Sequence, residues 1–219
     1  MTFGLAWSDL AVLVAAYAIG CFATGYYLVR WRTGTDVRRQ GTGSVGATNA
    51  ARMMGKGAFT AVALGDMAKG ALAVALGRWL GDAGSMPALA AIAVVVGHLW
   101  PAQLGFRGGK GVSTAFGAAL VLSPPVALWA LAIAALAFAI GCRVVLSGLV
   151  GVSLAPVVAV GLGESAWSIG GIAALSVLVV AGHRANIAGM LAKQEPWRRR
   201  IRARAENQAP PSPVDGIQS

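Results

Sequence analysis

Four short stretches of this chain carry residue types that hold anions or move protons. The first is Gly41-Thr42-Gly43-Ser44-Val45-Gly46, which runs into Thr48, Asn49 and Arg52. Glycines there permit unusual dihedrals and close backbone approach. Thr42, Ser44, Thr48 and Asn49 supply hydroxyl and amide groups, and Arg52 offers a planar fork that matches phosphate or carboxylate. The spacing Gly41-x-Gly43-x-x-Gly46 is also that of a dinucleotide turn, which requires a strand before it and a βαβ unit around it. Here a long apolar run ending in Arg30-Trp31-Arg32 precedes it, so that reading is weak. A flexible linker is the bland reading, but a linker has no need of Thr48, Asn49 and Arg52 entering the next helix.

The second stretch, Gly108-Gly109-Lys110-Gly111, leads into an apolar helix with Ser113 and Thr114 in its first turn. Exposed N–H groups of a glycine turn, the partial positive charge of a helix N-terminus and a lysine together compose an anion site. It lacks the spacing of a nucleotide P-loop, so it suggests phosphate rather than ATP. A tight turn between two helices, with Lys110 as a flanking charge, is an equal reading. The third stretch, His183-Arg184-x-Asn186, sets His183 and Asn186 three apart on one helical face, where a histidine can take a proton and an asparagine can hold a hydroxyl. In the fourth, Asp66 and Lys69 lie three apart inside an apolar helix. A charge there is either paired with a neighbour or given to a substrate. His98, near the end of the third apolar run, either caps its helix or lines the same site.

The elements that must position these groups cross a membrane. The 219-residue chain is 57% apolar and only 12% charged, against about 25% charged in a soluble domain. Apolar runs long enough for a hydrocarbon core of ~30 Å extend from about 9 to 29, 57 to 80, 87 to 104, 126 to 141, 144 to 162 and 167 to 187. A shorter run at 112 to 122 is stopped by Ser123-Pro124-Pro125. The expected fold is an all-α integral-membrane bundle of about seven helices. The first run reads as a retained helix and not as a cleaved signal, because Ser8 and Asp9 precede it and the positive charge follows it.

With seven crossings, all of the 18 Lys and Arg residues except Arg78 and the intrahelical Lys69 fall on one face. The positive-inside rule makes that face cytoplasmic, with the N-terminus outside and the C-terminus inside. The net charge of +10 therefore points to anionic membrane lipids and away from nucleic acid. Apart from Trp31 and Trp197, no aromatics are interleaved with the basic residues. Cys21 and Cys142 sit in or beside apolar segments with no ligand or disulfide spacing, and no metal or cofactor is expected. Residues 1 to 192 read as a single transmembrane domain. Residues 193 to 219 read as a basic tail whose Pro-rich end, after Glu206, is expected to be disordered. On this topology the glycine loops, the turn at Gly141-Cys142-Arg143 and His183 to Asn186 all reach the cytoplasmic face, as one active site would require.

GTGSVGATNAAR, GDMAKG, GHLWPAQLGFRGGKGV and HRANI, taken in order, resemble the bacterial integral-membrane acyl-phosphate:glycerol-3-phosphate acyltransferases, the PlsY-type family. The likeness runs from about residue 9 to 197. It implies a seven-helix enzyme that moves a fatty acyl group from acyl phosphate to the sn-1 hydroxyl of glycerol 3-phosphate, giving lysophosphatidic acid and phosphate.

The resemblance places Thr42, Thr48, Asn49 and Arg52 around glycerol 3-phosphate, and Gly108, Gly109, Lys110 and Gly111 around the donor's phosphoryl group. His183 and Asn186 fall beside the reacting hydroxyl. Ser44 stands where the family usually has Asn, and Thr42 where it usually has Ser. Ser147 aligns with one serine of a further motif that is only loosely met, and Lys69 is counted with the substrate-binding groups. The enzyme that supplies acyl phosphate is a candidate partner. Acyl phosphate is already activated, so positioning and charge stabilisation can supply most of the catalysis. The alternative from another class is an anion transporter, which predicts polar groups near the bilayer midplane and two related halves.

Overall fold

The computed structural model describes residues 7–81 and 84–193, with side chains up to residue 189. Among the described residues the regular structure is entirely helical. The helices are α1 (Trp7–Cys21), α2 (Thr24–Thr33), α3 (Ala47–Met54), α4 (Lys56–Leu80), α5 (Met86–Leu99), α6 (Val112–Leu122), α7 (Pro124–Ala139), α8 (Val144–Gly161), α9 (Ala166–Gly182) and α10 (Arg184–Lys193). Short 3-10 turns at Val37–Arg39 and Ala102–Leu104 shape the two long loops.

Four segments are long and apolar enough to cross a membrane: Trp7–Thr33, Lys56–Leu80, Met86–Leu104 and Val144–Gly161. Val112–Leu122, Pro124–Ala139 and Ala166–Gly182 are shorter apolar helices. The boundary between α6 and α7 follows from local chemistry. Ser123 caps α7 by accepting from the Val126 N–H, and Pro124 and Pro125 occupy first-turn positions where a missing N–H costs nothing.

Two features differ from the runs read in the sequence. The first run is broken, with α1 ending at Cys21 and α2 starting at Thr24. Side chains from other helices satisfy the carbonyls freed there: Lys69 Nζ donates to Gly20 O and Phe22 O, and Gln103 Nε2 donates to Cys21 O. The run drawn from 167 to 187 is likewise two helices, because α9 ends at Gly182.

With lipid tails as apolar as leucine, helices associate through close backbone packing over small residues. An added Cβ at Gly70 of α4 would lie 2.1 Å from the Thr114 carbonyl oxygen of α6, and one at Gly117 would lie 2.0 Å from that of Met67. These two helices therefore touch backbone to backbone.

The chain divides into two compact units after Gly182. In the second, His183 is buried, its carbonyl accepts the Ile187 N–H at 2.9 Å, and α10 follows. The tail beyond Lys193, with its arginine cluster and Trp197, lies outside the described residues.

Candidate active site

The loop before α3 is wound around one side chain. Asn49 is 1% exposed. Its Nδ2 lies within hydrogen-bond reach of Val37 O at 2.9 Å and of Gln40 O and Ser44 O at 3.0 Å, while Oδ1 accepts the Thr42 N–H at 2.9 Å. Gly41 must be glycine on two counts. Its φ is +57°, and an added Cβ would sit 2.2 Å from Asn49 Oδ1. Beneath the loop, Val29, Val37, Val45, Ala50 and Val62 form a small buried core that joins α2, α3 and α4.

This wrapping turns some polar groups inward and others outward. Thr42, Thr48 and Arg52 are exposed, and Ser44 is half-buried with its Oγ accepting the Gly46 N–H at 3.3 Å. The stem of Arg52 folds back beside Gly41. Asn49, expected to touch substrate, instead has every polar atom engaged by the loop, so it shapes the site from behind.

The second loop is seated on the end of α5. The last carbonyls of a helix have no intrahelical donor. Here the Gly108 N–H donates to Leu99 O at 3.1 Å and the Gly109 N–H to His98 O at 3.0 Å. These two amides, expected to face an anion, cap α5. Lys110 is half-buried. Its ammonium is held below the usual lysine value, first by burial and then by the positive charge of Arg52. Two cations from separate sequence motifs are thus brought close enough to repel each other. Gly111, in left-handed conformation with φ +85°, caps the start of α6. Gly182, the last residue of α9, packs on the Lys110 backbone, with an added Cβ 3.1 Å from Lys110 O.

Other expected groups fall elsewhere. Lys69 is buried in the bundle, and besides the two carbonyls at the α1–α2 break its Nζ meets Asp66 Oδ1 at 2.9 Å and His98 Nδ1 at 2.8 Å. With these partners Lys69 holds the protein together and is not a group open to substrate. Ser147 is buried, and its hydroxyl donates to Arg143 O at 3.1 Å. Among the described residues, no group of three or more His, Cys, Asp or Glu side chains comes together as metal ligands. His183 and Asn186 are one helical turn apart in the second unit, the first buried and the second half-buried.

Sequence reasoning passed over Arg38. Its guanidinium forks onto Asp36, with Nη2 to Oδ2 at 2.7 Å, and its Nη1 donates to Leu104 O at 2.7 Å, tying the first loop to the second. The carboxyl of Asp36 is held below its usual range chiefly by that hydrogen bond. The only sequence signal was an aspartate two residues before an arginine.

Comparison with known proteins decides the family. The model of the glycerol-3-phosphate acyltransferase family matches residues 10–193. The chain belongs to that family. Glycerol-3-phosphate acyltransferase 1 of Desulfitobacterium hafniense (strain Y51) is 42% identical over 192 residues, covering 87% of this chain and 95% of the relative. The glycerol-3-phosphate acyltransferase of Synechococcus sp. (strain JA-2-3B'a(2-13)) is 42% identical over 187 residues, covering 85% and 93%. Among solved structures, PlsY (YgiH), an integral membrane glycerol 3-phosphate acyltransferase, superimposes in its glycerol 3-phosphate form with TM-score 0.80. It is 29% identical, and the match covers 85% of this chain and 93% of that one. Its lysophosphatidic acid form gives TM-score 0.77 at 28% identity. This acyltransferase is helical among its described residues, with four segments long and apolar enough to cross a membrane, and the family match favours an enzyme over an anion transporter.

Proposed function

We propose that the protein transfers a fatty acyl group from acyl phosphate to the sn-1 hydroxyl of glycerol 3-phosphate, releasing lysophosphatidic acid and inorganic phosphate. The reaction would take place at the cytoplasmic face of a seven-crossing bundle in the bacterial inner membrane, with the N-terminus outside. The observation that carries this reading is the match to the glycerol-3-phosphate acyltransferase family over residues 10–193, with Arg52 and Lys110 on the two loops that the resemblance gives to the phosphate-bearing substrates. The two PlsY forms, named for glycerol 3-phosphate and for lysophosphatidic acid, supply the acceptor and the product.

In this reading Arg52, Thr42 and Thr48 hold the acceptor's phosphate, with Ser44 beside them. Lys110 and the α6 N-terminus after Gly111 hold the donor's phosphoryl group. Ser147 lines the donor side through its hydroxyl oxygen, which can still accept. The acceptor hydroxyl oxygen attacks the acyl carbonyl carbon. A C–O ester bond forms, the bond between the acyl carbon and the bridging phosphate oxygen breaks, and phosphate departs with that bond's electrons. The resemblance gives Asn186 the part of orienting the hydroxyl, whose proton passes either to His183 or to a phosphate oxygen of the substrate. A His183→Ala variant with near-full kcat would leave only the second route. Lys110 stabilises charge as it develops on the departing phosphate.

The deciding experiment is release of lysophosphatidic acid by purified protein in detergent. Glycerol 3-phosphate is supplied as acceptor, with palmitoyl phosphate, palmitoyl-CoA or palmitoyl-acyl carrier protein as donor. Product from palmitoyl phosphate alone is the expected result. Product from the CoA thioester would overturn the donor assignment.

A further inference from the structure

We infer that His98, clamped by Lys69 and Asp66, is a positioning residue that sets the height of the Gly108–Gly111 loop, and so of Lys110, against the rest of the bundle. This rests on the proposed reading of that loop as the donor side.

The ammonium of Lys69 is the centre of the clamp. It has three protons and four neighbours: the carbonyls of Gly20 and Phe22, the carboxylate of Asp66 and Nδ1 of His98. Nothing in that set except the ammonium can donate to the imidazole, so Nδ1 accepts. The ring proton is thereby assigned to Nε2. Asp66 is fixed in turn, because Thr24 Oγ1 donates to its Oδ1 at 2.9 Å. The cluster thus grips the ring from α4 and anchors it to the α1–α2 break. All three charged or polar side chains are buried.

The far side of that ring is the seat of the loop. An added Cβ at Gly109 would lie 2.1 Å from His98 Nε2, and one at Gly108 would lie 2.1 Å from His98 O. The His98 carbonyl also takes the Gly109 N–H. One residue therefore meets the loop with both its backbone and its ring, immediately before Lys110. A side chain gripped on one edge and packed against a glycine on the other transmits position, because such a close-packed contact cannot yield without moving the backbone. Asp66 and Lys69 both lie on α4, so an ion pair serving that helix alone would need neither the histidine nor the glycine.

The test compares His98→Asn with the parent protein and with Gly109→Ala. Asparagine keeps an acceptor near the Nδ1 position for Lys69 but removes the edge under Gly109. Hydrogen exchange of residues 105–111 in detergent reads loop position without reference to substrate, and steady-state kinetics are measured for each substrate separately. Faster exchange is expected, with kcat/KM for acyl phosphate falling roughly ten- to hundredfold while KM for glycerol 3-phosphate stays within about twofold. Combining His98→Ala with Gly109→Ala should cost less than the sum of the two single changes, because the methyl group then finds the vacated ring space. Unchanged exchange in folded His98→Asn protein, or strict additivity in the double variant, would overturn the inference. Faster exchange with both substrates equally affected would uphold the positioning and overturn the donor assignment of the loop.

Discussion

Asn49 Oδ1 accepts the backbone N–H of Thr42 at 2.9 Å, closing the glycine loop onto the helix that follows it. Because Nδ2, with its two protons, also lies within reach of three carbonyls, replacing Asn49 by Ala strands several buried groups at once. We expect a loss of roughly 2–4 kcal/mol in stability, seen as a lower melting temperature in detergent, and a raised KM for glycerol 3-phosphate. Asn49→Asp should fare no better, since a carboxylate would then face the carbonyls of Val37, Gln40 and Ser44. Thr48→Ala, at an exposed position, should leave melting unchanged and alter only KM.

Burial holds the Lys110 ammonium below the ordinary lysine value, and the positive charge of Arg52 lowers it further. Folding therefore disfavours the charged lysine. Its opposition to stability is full below its folded pKa and fades as pH rises from there toward the ordinary lysine value. In the proposed mechanism catalysis runs the other way, since a lysine that holds the donor's phosphoryl group acts in its protonated form. Activity should fall as pH rises through the folded pKa. In Arg52→Gln the repulsion is gone, the pKa rises, and the alkaline limb of kcat/KM for acyl phosphate should move to higher pH while KM for glycerol 3-phosphate increases. A limb that stays in place would mean that another group sets it.

The apolar runs and the two glycine loops were legible because burial in lipid and loop chemistry leave compositional marks. What escaped were contacts across helices. The break at Phe22–Ala23 has no proline and no polar cluster to announce it. It exists because Lys69 and Gln103, distant in sequence, satisfy the freed carbonyls. For the same reason Lys69 and Asn49 read as substrate groups. Residue type marks them as polar in an apolar chain, but only the fold determines whether their partners are protein atoms. Gly108 and Gly109 read as an anion cradle because a capping turn and a phosphate turn need the same glycines.

At the opposite end of the bundle, Ser123 Oγ donates to the carboxylate of Glu164. Glu164 lies just before α9, and the far end of α9, at Gly182, packs on Lys110. A 17-residue helix puts about 25 Å between those ends. Glu164→Ala should therefore cost about 1–2 kcal/mol of stability with no change in either KM. A specific rise in one KM would show that the two ends of the bundle communicate.

Arg38 joins the two glycine loops through three directions of one guanidinium. Nε and Nη2 fork onto Asp36, Nη1 reaches Leu104 O, and the plane lies over Tyr26 at 5.2 Å. A lysine can satisfy one of these contacts but not all of them, since an ammonium has neither the fork nor the flat face. Arg38→Lys should therefore behave like Arg38→Ala, raising KM for both substrates severalfold while the helical circular dichroism stays at the parent value. Asp36→Asn would separate the contributions, because it weakens the fork yet leaves the bond to Leu104 in place. On the proposed assignment its effect should be confined to glycerol 3-phosphate, since Asp36 lies on the first loop. Full rescue by Arg38→Lys would mean that charge alone matters at this position, and the two loops would then have to be held in register by the α5 end and the small core beneath α3.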